Sequence, residues 1–437
     1  MSAEFSLFSQ SLSDWLSYLE GIHYRSVDLG LERMEVLAAA LDLKRLPAGK
    51  IITVTGTNGK GSVTNLLGKF LRRQGYSVCI YNSPHLIRFN ERITLGNRFA
   101  TDEELLNAFR IIEEKRRELK VSLTFFEFTT LAAFYLFRSH PSDFVILEVG
   151  MGGRYDSVNI LDADLAVITN VALDHTSFLG ENREEIGYQK AGIIKEHSHL
   201  VYGEENMPSS VRNYAAEMHA PVTQCYSELR YRITGNREWT FICSNGEEIN
   251  HLPEPDIPVG NAAIVLCALE DLGINLQGNE ISAVLSAFHM PGRFQIVREH
   301  PAVVVDVGHN PHAFAYLKLR LNELKSLHNG CRVSGVLGML HDKDFSLALK
   351  IIAEELDVIN LCSLPGPRGT RAEDLASELQ GASCDVNCFS DPVSAYEDAL
   401  KNSSTGDIIL VAGSFLTTGA VLQHLYPDYQ DFLKGYS

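Results

Sequence analysis

The feature that most constrains this chain is the run Ile51-Ile52-Thr53-Val54-Thr55, followed at once by Gly56-Thr57-Asn58-Gly59-Lys60-Gly61-Ser62. The apolar run reads as a buried strand, and Ser62 to Gln74, closed by Gly75, reads as a helix. Glycines between them let backbone N–H groups turn toward an anion without interference from a Cβ, and a helix N-terminus adds positive potential. Lys60 then supplies a mobile charge for the β- and γ-phosphates of a nucleotide, and Ser62 a hydroxyl near magnesium. The spacing departs from the strict Walker pattern: the first two glycines stand closer together, and Gly61 separates the lysine from the serine. The plainer alternative is a glycine-rich turn with a solvated lysine. Strand, loop, lysine and helix agree in order, which favours the nucleotide, but a phosphate loop by itself names no reaction.

The same alternation continues along the chain. Ser77–Tyr81, Phe144–Val149 and Leu165–Thr169 read as further buried strands, and 12–20, 31–43, 101–119 and 129–138 as helices. β-α-β alternation implies a mostly parallel sheet with helices on both faces. Between about 202 and 258 the texture turns to short polar β-leaning runs such as 230–234 and 238–243, expected to form a small sheet. A helix follows over 261–272, closed by Gly273, and then the turn Pro291-Gly292-Arg293. Beyond it, 302–307, 332–337, 357–361 and 408–412 read as strands of a second α/β domain. The 437 residues are more than one core accommodates, and the expected division is 1–293 and 294–437.

A net charge of −17 argues against nucleic-acid or anionic-membrane partners, which need a basic face, but leaves small anionic substrates open. No stretch approaches the ~20 apolar residues of a membrane span, and the N-terminus lacks a basic, then apolar, secretory pattern. Eight cysteines without a C-x-x-C pair read as reduced thiols, consistent with a cytoplasmic protein.

Candidate chemistry clusters at strand ends. Glu148 closes an apolar strand at the end that faces the crevice in open parallel sheets, where a carboxylate suits a hard cation bridging ATP phosphates. Asp174-His175 follows another strand; the histidine is a polar site residue that Asp174 could orient. On its residues alone, Ser83 before Pro84 reads as a turn serine, and Lys190 in Gly-Tyr-Gln-Lys-Ala-Gly as a solvated helix lysine.

Taken together, GTNGKGS (56–62), SPHLIRFNERI (83–93), FFEFTTLAAFYLF (125–137), ILEVGMGGRYDSVNI (146–160), LDHTSFLG (173–180), EIGYQKAGIIK (185–195), PGRFQIV (291–297), DVGHNPHA (306–313), GMLHDKD (338–344) and AGSF (412–415) resemble the bifunctional dihydrofolate synthase/folylpolyglutamate synthase family of the Mur ligase superfamily. The resemblance implies an N-terminal ATPase domain, a C-terminal Rossmann-like domain, and reaction in the cleft between the domains; a monomer is expected. It assigns ATP phosphates to Thr57, Asn58, Gly59 and Lys60, and the rest of the nucleotide to Asn261, Arg293 and Asp306. It gives one Mg²⁺ to Ser83 and Glu148, and a second to His175 and Lys190, with Lys190 a carbamate; this reverses the bland reading of that lysine. The pterin surface falls on Asp28, Leu29 and Gly30, on Thr124, Phe125, Phe126 and Glu127, and on Tyr155, Asp156 and Ser157; His309 is a candidate for the glutamate side. Two departures stand out: Gly308 where the family has alanine, and Tyr155 and Ser157 in a stretch more often written GLGGRLDA.

The implied reaction adds L-glutamate to dihydropteroate and to reduced folates through an acyl phosphate. A Mur-type peptidoglycan ligase would carry a further N-terminal domain, for which the roughly fifty residues before the loop leave too little chain. A regulatory phosphate-loop NTPase is the rival of another class.

Overall fold

The computed structural model describes residues 11–24, 28–235, 237–328, 330–381 and 384–433. The chain divides into two units, Met1–Glu254 with Pro258–Ser286, and Pro255–Ile257 with Ala287–Ser437.

The first unit is built on β1 (Ala48–Thr55), β2 (Val78–Tyr81), β3 (Ile93–Leu95), β4 (Arg98–Phe99), β5 (Ser142–Glu148), β6 (Leu165–Ile168), β7 (His199–Tyr202) and β8 (Val222–Gln224). Their spatial order is β4-β3-β2-β5-β1-β6-β7-β8. Only the pairings of β3 with β2 and β4 are antiparallel; the others are parallel, as the alternation predicts. With β5 on one side of β1 and β6 on the other, the connection leaving β1 lies where the strand order reverses, the usual ligand crevice of an open α/β sheet. Val54 of β1 pairs with Glu148 of β5, so the β1 loop and Glu148 emerge side by side.

Helix boundaries follow local capping. The helix expected from Thr129 begins at Phe125, because Thr124 and Glu127 close a reciprocal capping box ahead of it. The first helix, Leu12–Glu20, is capped in the same way by Ser11 and Asp14 and buries Trp15 against the rings of Phe109 and Phe128. The stretch expected to be wholly β-leaning divides differently. β7, the helix Ser209–Glu217 and β8 continue the large sheet, and a separate antiparallel sheet comprises β9 (Tyr231–Gly235), β10 (Glu238–Ile242) and β11 (Glu248–Pro253). β8 is an edge strand with no fully buried position, so its sequence carries no apolar pattern.

The second unit holds β12 (Gln295–Glu299), β13 (Ala302–Val305), β14 (Val333–Leu337), β15 (Val358–Cys362), β16 (Asp385–Phe389) and β17 (Ile408–Ala412), in the order β12-β13-β17-β14-β15-β16. All pair in parallel except β12 with β13. Every position of β13, β14 and β17 is buried, which makes them readable as apolar runs. The edges β12 and β16 are largely exposed, and the sequence reading missed both. All eight cysteines are free thiols. Among the described residues, no helix is long and apolar enough to cross a membrane.

Candidate active site

The loop after β1 is shaped by two glycines. Gly56 has φ +152°, and a Cβ there would stand 1.8 Å from Thr169 Oγ1. Gly59 has φ +83°, and its Cβ would stand 2.6 Å from Asn261 Oδ1. The structure thus brings Asn261, from the helix Val259–Asp271, against the loop. The loop is braced from β6: Asn170 Oδ1 accepts the N–H groups of Thr57 and Asn58, each at 2.9 Å, and Thr169 Oγ1 donates to the Asn58 carbonyl at 2.6 Å. Thr57 Oγ1 donates to Ala172 O and accepts from Ala172 N–H, both at 3.0 Å. Lys60 Nζ folds back over the loop to the carbonyls of Gly56 and Thr57, at 3.0 and 3.3 Å. The helix Lys60–Arg73 has Gly59 at its N-cap and no side-chain cap. The amides of Gly61 and Ser62 in its first turn therefore lack intrahelical acceptors, which suits an anion.

Ser83 and Glu148 meet directly, the Ser83 N–H donating to Glu148 Oε2 at 3.0 Å. Glu148 is buried at the end of an apolar strand, where a carboxylate calls for a cation or donors. His175 takes a left-handed conformation, φ +51°, at the start of the short helix Thr176–Leu179. Its backbone N–H donates to Asp174 Oδ1 at 2.8 Å, and its Nε2 lies 3.9 Å from Asp174 Oδ2, beyond hydrogen-bond distance. Lys190 corrects the solvated-lysine reading: it lies in the last turn of the helix Arg183–Ala191 and is buried, at 3 % exposure. The end of that helix packs closely on the Gly152-Gly153-Arg154 turn. A Cβ on Gly153 would stand 2.9 Å from the carbonyls of both Gln189 and Lys190, and Arg154 N–H donates to Gln189 O at 2.7 Å. Among the described residues, no three His, Cys, Asp or Glu side chains converge as a metal cluster.

The residues of the proposed pterin surface fall into two contacts. Arg33 joins Asp28 Oδ2 at 2.6 Å and Glu127 Oε1 at 3.0 Å, and His23 Nε2 lies 3.2 Å from the same Asp28 oxygen. Glu127 also accepts the Thr124 N–H at 2.7 Å. Phe126 stacks on Tyr81, centroids 6.0 Å apart, and lies so close to Gly150 that a Cβ there would be 2.6 Å from its ring. The loop beyond Gly150 is closed by Asp156, which accepts the N–H groups of Met151 and Val158 at 2.9 and 3.1 Å. Burial pushes the Asp156 carboxyl up to about 7, against the opposing pull of those amides and Lys60. Leu29 and Tyr155 are exposed, and Ser157 is buried. Arg33 and Tyr81 escaped the sequence reading. Arg33 reaches Glu127 across 94 positions, which no local spacing signals.

In the second unit, Asp306 accepts Phe294 N–H at 2.8 Å and Gly308 N–H at 2.6 Å; burial raises its pKa, with Arg293 opposing. Arg293 stands 5.4 Å over the ring of Phe415, and His309 packs 6.3 Å from the same ring. His309 Nδ1 is 2.9 Å from the Val307 carbonyl. At Gly308 a Cβ would meet Asp306 Oδ1 at 2.9 Å and Ala313 Cβ at 3.3 Å, so the glycine relieves a tight corner.

A phosphate loop at the switch point of one α/β unit, in a chain with a second, Rossmann-like unit, is the plan of the Mur ligases. The Mur ligase middle domain matches residues 54–228, and the Mur ligase, glutamate ligase domain matches 292–415. Dihydrofolate synthase/folylpolyglutamate synthase of Escherichia coli (strain K12) is 41% identical over 412 residues, 94% of this chain and 95% of that protein. Escherichia coli FolC in complex with DHPP and ADP matches with TM-score 0.89 at 39% identity, covering 98% of this chain and 100% of that one. The Yersinia pestis bifunctional folylpolyglutamate synthase/dihydrofolate synthase complexed with AMPPNP and Mn ion matches with TM-score 0.87 at 40% identity, covering 97% and 100%. The chain belongs to the dihydrofolate synthase/folylpolyglutamate synthase family.

Proposed function

We propose that this chain joins L-glutamate to dihydropteroate and to reduced folates at the expense of ATP, through an acyl phosphate formed on the acceptor carboxylate. The observation that carries the reading is the uncapped helix start behind Gly59, with Lys60 folded over the loop and the Ser83–Glu148 pair on the neighbouring strand. Relatives solved with ADP, or with AMPPNP and Mn ion, support a nucleotide together with a divalent cation.

In this reading Thr57, Asn58, Gly59, Lys60, Gly61 and Ser62 hold the phosphates, and Asn261, Arg293 and Asp306 are assigned to the same nucleotide. Mg²⁺ arrives with ATP as substrate. Ser83 and Glu148 serve one ion, for which a buried carboxylate beside a hydroxyl is a fitting donor set, and His175 and Lys190 serve a second. The acceptor carboxylate attacks the γ-phosphorus and ADP leaves, while Lys60 neutralises charge spread over the phosphoryl oxygens. The neutral amine of glutamate, with His309 assigned to its side of the site, then attacks the acyl carbon; phosphate leaves and the amine gives up one proton. Asp28, Leu29, Gly30, Thr124 to Glu127, and Tyr155 to Ser157 form the pterin surface.

Lys190 works here as a carbamate. A buried ammonium beside a cation is doubly unfavourable, whereas the carbamate is an oxygen ligand. Carbon-13 NMR with labelled bicarbonate, on protein held near neutral pH with Mg²⁺, is expected to show the adduct and to lose it in Lys190→Arg. An unmodified wild-type lysine together with an active Lys190→Arg enzyme refutes it.

The whole reading is tested by ADP release from the full chain, with dihydropteroate plus glutamate and tetrahydrofolate plus glutamate in parallel. Release is expected in both arms, and Glu148→Gln is expected to abolish both together, since one phosphate loop serves them. Hydrolysis that neither folate stimulates rules out the ligase.

A further inference from the structure

The segment Arg88-Phe89-Asn90-Glu91-Arg92 carries three charged residues to which the reading above gives no role. Two are accounted for structurally. Arg88 pairs with Asp102 at the surface, 3.3 Å away. Glu91 spends its two oxygens on the N–H groups of Leu86, Ile87 and Arg88, at 2.7–3.0 Å. Arg92 is different. It closes the short turn Phe89–Arg92 and is only 9 % exposed, yet among the described residues no carboxylate lies within ion-pair distance of its guanidinium. Its Nε donates to His85 Nδ1 at 2.9 Å, and it also interacts with the Tyr81 hydroxyl, which Thr129 and Thr130 already share. The rings of Phe89 and Phe125 stand 5.3 and 5.5 Å from it.

Aromatic faces compensate a cation only in part. A buried charge without a counter-ion is unfavourable, and the planar fork of a guanidinium matches a carboxylate or phosphate in two-point contact. Glu91 and Glu148 act on Arg92 only from beyond ion-pair distance, which leaves its fork open to the anion of a ligand. Its neighbours say which one. Phe125 opens the helix that carries Phe126 and Glu127, and Tyr81 lies under Phe126, all on the side assigned to the pterin. Glu148, paired with Ser83, acts on Arg92 electrostatically from the side assigned to the metal and phosphates. The acceptor's carboxylate must lie between its ring system and the γ-phosphate.

We propose that Arg92 binds the carboxylate of the acceptor substrate and presents it for phosphorylation, with His85 as the positioning residue that orients the guanidinium. His85 accepts on Nδ1 and so carries its proton on Nε2. The proposal rests on the folate-ligase reading.

The test uses the full chain with Mg²⁺ and a non-hydrolysable ATP analogue, and measures the affinity of two probes: dihydropteroate, and the same molecule with its carboxylate replaced by hydrogen. Wild type is expected to prefer dihydropteroate, and Arg92→Gln to bind it about 10–100-fold more weakly while binding the decarboxylated probe unchanged. Arg92→Lys, which keeps the charge and loses the fork, is expected to reduce the preference by at least about threefold, and it carries the test if the glutamine variant does not fold. A preference retained in the variants overturns the proposal alone, and so does a loss confined to the affinity for the ATP analogue. Wild type that binds neither probe overturns the folate reading as well.

Discussion

Two strand-to-helix crossings in this molecule invite comparison. In the first unit β1 passes through Gly56–Gly59 into the helix Lys60–Arg73; in the second β13 passes through Asp306–Asn310 into the helix Pro311–Leu327. Both leave the buried end of a parallel strand, and neither helix has an acidic residue in its first turn. They differ in who satisfies the helix start. Asn310 accepts the Ala313 N–H at 2.9 Å, and Pro311 removes a further donor. Gly59 offers no side chain at all. The second crossing closes itself, and the roles proposed there fall on side chains, namely Asp306, Arg293 and His309. The first is incomplete without an anion.

The largest effect expected from this contrast is at Lys60. Lys60→Ala should lower turnover by ~10³-fold or more, the scale seen when a key transition-state charge is lost. Its melting temperature should stay close to wild type, because the residue is only half-buried. Near-normal turnover in the folded variant would remove the functional half of the comparison.

Next in size is a pH effect that sets Asp156 against Asp306. Burial raises both carboxyls, Asp156 to about 7, while each accepts two backbone N–H groups. The folded state thus holds the Asp156 proton where the unfolded chain has released it. The associated stability is fully present below about pH 4 and is lost as pH rises through about 7. Relative to Asp156→Asn, wild type should lose about 2–4 kcal/mol across that window, measured by denaturant unfolding at pH 4.5 and 7.5. Asp306 is raised in the same direction, so Asp306→Asn should show the same sign. A wild-type-to-variant difference that ignores pH would break the parallel between the two acids.

The smallest effect belongs to the self-closed crossing. Asn310→Ala should destabilise by about 1 kcal/mol, the usual worth of a helix cap, as read by denaturant unfolding. A much larger loss would mean that Asn310 does more than close its helix.

What was legible in the sequence was local or fully buried. The strand, glycine loop and helix around Lys60 announce themselves within twenty-five residues, and β13, β14 and β17 are unbroken apolar runs. The edge strands β8, β12 and β16 were misread or missed because a strand with an exposed surface loses its apolar signature. The helix Ser209–Glu217 buries only Val211 and Ala215, too few positions to mark a face. The helix end that carries Lys190 packs on a glycine turn more than thirty residues earlier, and the Arg33–Glu127 pair spans 94 positions. Contacts of that kind exist only after folding. Family likeness could point to Lys190 and Asn261, but not to the residues that hold them.

The bracing of the phosphate loop by Asn170 has a consequence for how the loop breathes. With the Thr57 and Asn58 amides both bound to one side-chain oxygen, the loop is already in shape before any ligand arrives. Hydrogen–deuterium exchange at these two amides is governed by local opening, and opening here requires the Asn170 carboxamide to let go. Their exchange in the free protein should accordingly be slow, and nucleotide should slow it little further, while the unclaimed amides of Gly61 and Ser62 gain most of the protection. Entry of the nucleotide then leaves little backbone order still to be created.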